Sequence, residues 1–137
     1  MPQGPVIDGV RDLSEIGRGG FGVVYRGTEV EFGRDVAVKV LLHLNDDRAK
    51  RRFGREGRAM GAVSDHDNIV TVYRGGVTPD DQPYLVMEYV RGGSLTDRLT
   101  DVGPVNWRQA ADIGAKLADA LTVAHRAGIL HLSLIHI

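Results

Sequence analysis

Cysteine is absent from this 137-residue sequence, and only three of its 17 basic residues are lysine. The lack of cysteine excludes a disulfide framework and zinc sites built from thiolates, and it fits a reducing compartment. The net charge of −1 argues against a general nucleic-acid binder. No apolar stretch approaches the roughly 18 residues that span a bilayer, and no signal-peptide pattern opens the chain. These absences predict a cytoplasmic protein without a nucleic-acid partner and without a membrane segment in this chain.

Glycine, in contrast, is abundant, and three glycines near the N-terminus have the spacing G-x-G-x-x-G. They are Gly17, Gly19 and Gly22. Glycine lets backbone N–H groups come close to phosphate oxygens because no Cβ stands between them. In a dinucleotide-binding enzyme such glycines open a helix, but here Phe21, Val23 and Tyr25 recur with a period of two. The pattern predicts a hairpin over a nucleotide phosphate, with a dinucleotide-binding enzyme as the alternative.

The next apolar stretch contains a lysine. Strand periodicity places Val36, Val38 and Val40 on one face and Ala37, Lys39 and Leu41 on the other. Lys39 therefore lies among apolar residues, although the chain uses arginine for most of its cations. The plain explanation is a lysine on an edge strand that reaches solvent. The alternative is a cation that is held for a ligand.

The two motifs together resemble the glycine-rich loop and the third strand of eukaryotic-type (Hanks-type) protein kinases, in particular their bacterial serine/threonine members. The first motif is Gly17–Val24 and the second is Val36–Lys39. The resemblance implies an α+β fold with a kinase-like small lobe, made of a five-stranded antiparallel sheet and a C helix. A hinge and an incomplete helical large lobe follow. It also implies that Lys39 contacts the α- and β-phosphates of ATP.

A helix is predicted after Asn45 or Asp46, either of which can cap it. Its apolar stripe consists of Ala49, Phe53, Met60 and Val63. Glu56 falls on the same stripe, where a carboxylate costs several kcal/mol unless it is paired. In the kinase resemblance, Glu56 is the C-helix glutamate whose ion pair aligns Lys39 on the phosphates. The alternative is that Glu56 turns outward to a neighbouring arginine.

Two other stripes run along this helix. One consists of Arg48, Arg51, Arg55 and Arg58, which form either a solvated surface or a docking surface for an acidic partner. The other consists of Gly54, Gly57 and Gly61, each of which costs about 1 kcal/mol relative to alanine in a helix. Either something packs closely against the glycines, or the helix is mobile, or they only reflect a glycine-rich composition.

Two further strands are predicted at Ile69–Val77 and Tyr84–Tyr89, after a loop in which His66 is expected to be structural. The second strand and the residues after it are similar to the fifth strand and hinge of kinases. By that resemblance Met87 is the gatekeeper beside the adenine, and the backbone of Glu88 and Val90 hydrogen-bonds the adenine edge. The apolar slot above the adenine would be formed by Ile16, Val24 and Ala37.

The C-terminal third of the chain predicts helices. Ser94 and Asp97 resemble a capping box, and an amphipathic pattern runs from Asn106 to about His125. The stretch that follows resembles the approach to the kinase catalytic loop, with His131 as its structural histidine. Ser133 stands where the resemblance requires the catalytic aspartate, so the base is absent.

The resemblance divides the chain into five segments. They are a flexible leader (1–11), the small lobe (12–87), the hinge (88–93), the start of the large lobe with helices D and E (94–131), and a tail (132–137). The tail resembles the translation of a transposon end used in sequencing-library adapters, and we expect it to be non-native.

The function implied by the resemblance is that of a serine/threonine protein kinase, of which this chain is the ATP-binding part. Such an enzyme transfers the ATP γ-phosphate to serine or threonine of a protein substrate. Mg²⁺ is expected in the full-length enzyme, but its protein ligands are absent here, and the truncated chain is expected to be inactive. The full-length protein could be membrane-anchored through a missing C-terminal region. The alternatives are a pseudokinase, an ATP-binding interaction module, or a metal enzyme that uses His125, His131 and His136.

Overall fold

The structure, a computed structural model, describes residues 4–19, 22–42, 47–63 and 65–127, apart from the side chains of Ala49, Glu56 and Met60. The elements in these residues are β1 (Val10–Arg18), β2 (Gly22–Glu29), β3 (Arg34–Leu41), α1 (Asp47–Ala62), β4 (Val72–Val77), β5 (Pro83–Glu88), α2 (Leu95–Val102) and α3 (Trp107–Arg126). The five strands form one antiparallel sheet in the order β1-β2-β3-β5-β4. This arrangement confirms the predicted α+β fold.

The two faces of β3 bury different sets of side chains, as its alternation predicts. On one face, the cluster consists of Ile7, Val36, Val38, Val40, Tyr84 and Val86. On the other face, Leu41 and Leu85 pack against Phe53 of α1. The helix therefore covers the sheet face that also carries Lys39.

The N-terminal segment begins its structure earlier than the sequence predicts. Ile7 is 4% exposed and packs against the valines of β3, and the first strand begins at Val10. The Arg74 guanidinium donates to the carbonyl of Asp8, and the Val30 N–H donates to the carbonyl of Gly9. The expectation of a flexible leader over residues 1–11 is therefore wrong from Ile7 onward. The proline and glycine residues of this segment suggested a flexible chain, but the Ile7 side chain is buried against the valines of β3.

Close packing explains one of the three glycines of α1. A Cβ on Gly57 would lie 2.6 Å from Cδ2 of Leu85, so the helix approaches β5 through a position that has no room for a side chain. A Cβ on Gly61 would meet nothing within 4 Å, and one on Gly54 would meet only a nitrogen of Arg58 at 3.8 Å. Gly54 and Gly61 are therefore not required by contacts among the described residues.

The two C-terminal helices begin with capping boxes. At α2 the Ser94 hydroxyl accepts from the Asp97 N–H at 3.1 Å, and the Asp97 carboxylate accepts from the Ser94 N–H at 2.8 Å. Asn106 and Gln109 make the same reciprocal pair at α3. No residue of α2 is buried, and Ala120 is the buried residue of α3. Local hydrogen bonds therefore define where these helices start. The helices themselves pack little against the rest of the described residues.

Candidate functional site

The strand register brings several of the predicted site residues onto one face of the sheet. Across β2 and β3, Val24 faces Lys39, and across β3 and β5, Ala37 faces Met87. Gly17 of β1 faces Val24. Residues directly opposite each other on antiparallel strands project from the same side of the sheet. We call the side that carries Val24, Ala37, Lys39 and Met87 the site face.

Lys39 lies in the middle of the sheet. Its strand, β3, has β2 on one side and β5 on the other, and the side chain is partly buried. The explanation of Lys39 as an edge-strand lysine is therefore wrong. The side chain of Glu56 lies outside the described residues, so its ion pair with Lys39 stays a prediction. The neighbouring Gly57 contacts Leu85, which is the cross-strand partner of Lys39.

The glycines of the loop between β1 and β2 have different physical causes. The hairpin is closed by the Gly19 N–H, which donates to the Gly22 carbonyl at 2.9 Å. A Cβ on Gly22 would lie 2.3 Å from the carbonyl oxygen of Val40, so the packing of β2 on β3 requires glycine there. At Gly17 and Gly19 a Cβ would meet no described atom within 4 Å. Packing within the described residues therefore leaves these two glycines unexplained, and residues 20 and 21 lie outside the description.

The end of β5 and the segment after it carry the residues predicted to contact the adenine edge. The Glu88 N–H donates to the Thr71 carbonyl at 2.8 Å, and the Glu88 carboxylate accepts from the Thr71 N–H at 3.3 Å. Val90 is half exposed, as is Ile16 on β1. Gly92 and Gly93 have φ values of +102° and +77°, which favour glycine, so the chain turns there before α2. The role of this segment as a hinge stays a prediction.

A polar cluster on the site face was missed by sequence reasoning. The side chains are those of Arg26, Asp35, Tyr89 and Arg91, which we call the linker cluster. One oxygen of Asp35, Oδ2, accepts from Arg26 Nη2 at 2.9 Å and from Arg91 Nη2 at 2.8 Å. The guanidinium carbon of Arg26 lies 4.4 Å from the ring centroid of Tyr89. The hydrogen bond to Asp35 raises the pKa of Arg26.

The signal for this cluster was present in the strand alternation. Arg26 comes two residues after Val24, and Asp35 comes two residues before Ala37. The register pairs Arg26 with Ala37, so both charged residues share the site face with the predicted apolar slot. Strand alternation could not predict the contact of Arg91 with Asp35, because Arg91 lies 56 residues later in the chain.

His66 occupies the structural position that the sequence predicts. Its Nδ1 accepts from the Asn68 N–H at 3.0 Å, and its Nε2 lies 3.0 Å from the carboxylate of Asp119 in α3. The ring therefore joins the loop before β4 to the long helix. His131 and Ser133 lie outside the described residues, and their predicted roles stay predictions.

A groove lies between α1 and β4. This groove has a volume of about 700 Å³, and its floor includes Phe53, Gly54, Gly75 and Leu85. Lys50, Arg51, Arg55 and Arg58 border it, and the Lys50 amine is paired with Asp81 at 2.6 Å. None of Val24, Ala37, Lys39 and Met87 lines the groove. The groove is therefore a different surface from the candidate site.

Comparisons with known proteins agree on one family. The chain matches the family described as "Protein kinase domain" over residues 10–134. It is 49% identical over 123 residues to the serine/threonine-protein kinase PknK of Mycobacterium tuberculosis, a match that covers 90% of this chain and 11% of that protein. It is 38% identical over 121 residues to the serine/threonine-protein kinase PrkC of Bacillus subtilis, with 87% and 18% covered.

A solved structure gives the same result. The kinase domain of PknI from Mycobacterium tuberculosis superposes with a TM-score of 0.81 at 28% identity, over 98% of this chain and 56% of that one. This chain thus spans less than a fifth of the two curated kinases and just over half of the solved domain. Within the described residues, no helix combines the length and the apolar character needed to cross a membrane.

Proposed function

Because the chain belongs to the protein kinase family, among its bacterial serine/threonine members, we propose that its site face binds ATP for phosphoryl transfer to serine or threonine of a protein. The observation that carries this proposal is the strand register. It sets a glycine hairpin, a central lysine and an apolar patch side by side on one face. A nucleoside triphosphate needs these three features, because it has a flat apolar base at one end and a charged chain at the other.

The phosphates would lie under the glycine hairpin and beside Lys39. The open Cβ positions of Gly17 and Gly19 leave room for phosphate oxygens, and the Lys39 amine adds a positive charge on the same face. The Gly19 N–H is already bonded within the hairpin, so other N–H groups of the loop would meet the phosphates. Glu56 would hold the Lys39 amine by an ion pair, which a structure with bound nucleotide would bring within about 4 Å.

The adenine would lie against Val24, Ala37 and Ile16, with Met87 at the back and the hinge backbone at its edge. The Glu88 N–H donates to Thr71, so the group that Glu88 offers to a base is its carbonyl, an acceptor. Adenine has an exocyclic amine that can donate to this carbonyl, while guanine has an oxygen at the equivalent place. The Val90 N–H would supply the second hydrogen bond. This pattern favours ATP over GTP.

Magnesium is part of the proposed reaction of the full-length enzyme, where it would neutralise phosphate charge. Among the described residues, no group of three or more histidine, aspartate or glutamate side chains lies close enough together to hold a metal ion. In this proposal the contribution of the chain is to bind and orient the nucleotide.

We propose further that this polypeptide by itself does not transfer phosphate. The position that the family uses for its catalytic base holds Ser133, and a hydroxyl without an activating neighbour does not accept the substrate proton as a carboxylate does. A second candidate function is an ATP-binding module without catalysis, and the genomic sequence beyond His131 decides between the two, because the tail that carries Ser133 is expected to be non-native. The two candidates share the binding step and differ in the transfer step.

Two assays separate these possibilities. ATP binding is measured by calorimetry on the wild type, on Lys39→Met and on the control Lys116→Met, whose amine makes an exposed pair with Asp112 at 3.1 Å. We expect Lys39→Met to weaken binding at least about tenfold, because a charge-assisted contact is lost, and the control to have no effect. Equal affinity in all three proteins would contradict the proposal.

The transfer step is tested on the chain and on a version continued with the genomic sequence through the activation segment. Autophosphorylation is followed with labelled ATP. We expect transfer by the longer protein and none by the chain alone. If the chain transfers more phosphate than its Lys39→Met variant, the proposal that the chain is inactive is refuted. If neither the chain nor the longer protein transfers phosphate, the result favours the ATP-binding module.

A further inference from the structure

The linker after β5 has few attachments to the sheet. Beyond Glu88, the hydrogen bonds, ion pairs and ring contacts that residues 89–93 make with the described part of the sheet come from two side chains. Tyr89 lies under the guanidinium of Arg26, and Arg91 donates to Asp35. Val90, Arg91, Gly92 and Gly93 are all exposed. The position of this segment therefore depends on the linker cluster.

Asp35 is the centre of that cluster. The same oxygen accepts from both arginines, and the carboxylate side chain is 29% exposed, whereas Arg91 is 76% exposed. An isolated exposed ion pair contributes little, but here one carboxylate fixes two guanidinium groups, and one of these also stacks on Tyr89. Charge-assisted hydrogen bonds are shorter and about twice as strong as neutral ones, so loss of the charge affects both contacts.

The cluster also borders the proposed adenine slot. On the site face, Arg26 is the neighbour of Val24 along β2, and Asp35 is the neighbour of Ala37 along β3. On the linker side, Tyr89 and Arg91 flank Val90, whose N–H faces the base in the proposed function. A shift of the linker of less than an ångström would lengthen hydrogen bonds at the base edge and leave the phosphate end unchanged.

We propose that Asp35 is a positioning residue that holds the linker against the sheet through Arg26 and Arg91, and thereby sets the selectivity of the site for adenine. This inference rests on the proposed function, because it takes the base edge to be read by Glu88 and Val90. In this proposal Asp35 acts without contact to the base or the phosphates. Its effect is on where the linker backbone lies.

The test is the ratio of the dissociation constants for GTP and ATP, measured by calorimetry on the full chain. The two nucleotides carry the same triphosphate, so the ratio isolates the base edge from phosphate binding. We expect Asp35→Asn to lower the preference for ATP by about threefold to fivefold, with GTP affinity changed by less than about twofold. Arg91→Gln should lower the preference for ATP similarly. Because the Arg91 side chain is exposed, its replacement is not expected to impair folding, so a lower preference cannot be attributed to a folding defect. Asp35→Glu, which keeps the charge, should lie between Asp35→Asn and the wild type.

Salt and a matched control complete the experiment. Higher ionic strength should lower the preference of the wild type and leave that of Asp35→Asn unchanged, because the contact that salt screens is already lost. Asp112→Asn removes the exposed pair with Lys116 in α3 and should leave the ratio unchanged. An unchanged ratio in both Asp35→Asn and Arg91→Gln would overturn the proposal, as would an equal loss in Asp112→Asn. A wild type that does not bind ATP would instead refute the proposed function.

Discussion

The sheet with α1 and the two C-terminal helices bury their apolar side chains to different extents. Val36, Val38, Val40 and Val86 of the sheet are completely buried, while Val102 of α2 is 77% exposed and Trp107 of α3 is 75% exposed. Among the described residues, the sheet therefore has a core of its own, whereas the contacts found for the helices are mainly their capping boxes and pairs such as that between His66 and Asp119. The difference indicates that the site face belongs to the part of the chain that specifies its own structure.

The largest effect is expected from a change in the core of the sheet. Val38→Ala removes two fully buried methyl groups from the centre of β3 and should lower the free energy of unfolding by about 2 kcal/mol. Val102→Ala, at an exposed position of α2, should change it by less than about 0.5 kcal/mol. Urea unfolding followed by fluorescence measures both. Equal effects would mean that the two regions do not differ in packing.

A smaller effect tests how α1 attaches to the sheet. Gly57→Ala places a Cβ 2.6 Å from Leu85 and should destabilise the protein by about 1 kcal/mol, although alanine favours a helix. Gly61→Ala, where a Cβ meets nothing within 4 Å, should stabilise it by up to about 1 kcal/mol. Thermal unfolding of the two variants should therefore shift in opposite directions. Stabilisation by both substitutions would show that α1 does not pack closely on β5.

The smallest effect concerns the start of α2 and depends on pH. The backbone hydrogen bond from Ser94 lowers the pKa of Asp97 from its usual value. A carboxyl whose pKa is lower in the folded state contributes stability above its unfolded pKa, and that contribution is lost as the pH falls through the folded value. The α2 amide signals in NMR should therefore change as Asp97 becomes protonated in acid. Asp97→Asn should abolish this change. If the change persists in the variant, protonation of Asp97 is not its cause.

Much of the sheet could be predicted because strand alternation is a local property. The residues from Val36 to Leu41 show the period of two directly, and their faces are as predicted. The capping box of Ser94 and Asp97 is equally local, since its two members are three residues apart. Short-range patterns of this kind can be read without knowledge of the rest of the fold.

Contacts between distant segments could not be predicted in the same way. Ile7 is buried because it reaches the valine face of β3, and nothing in its own glycine- and proline-rich surroundings indicates this. Arg91 binds Asp35, which lies 56 residues earlier in the chain. The role of Gly22 is also a matter of packing, because the Val40 carbonyl excludes a Cβ there, while Gly17 and Gly19 are open. The G-x-G-x-x-G spacing alone does not separate these causes.

The most direct test of the account is to locate ATP on the protein by residue-resolved NMR. In a titration of the isotope-labelled chain, we expect the largest amide shifts at Gly17, Gly19, Val24, Lys39 and Val90. Gly54 and Gly75, in the groove between α1 and β4, should shift little, as should the residues of α3. Saturating shifts in the groove with an unchanged site face would contradict the claim that the face of β2, β3 and β5 binds the nucleotide.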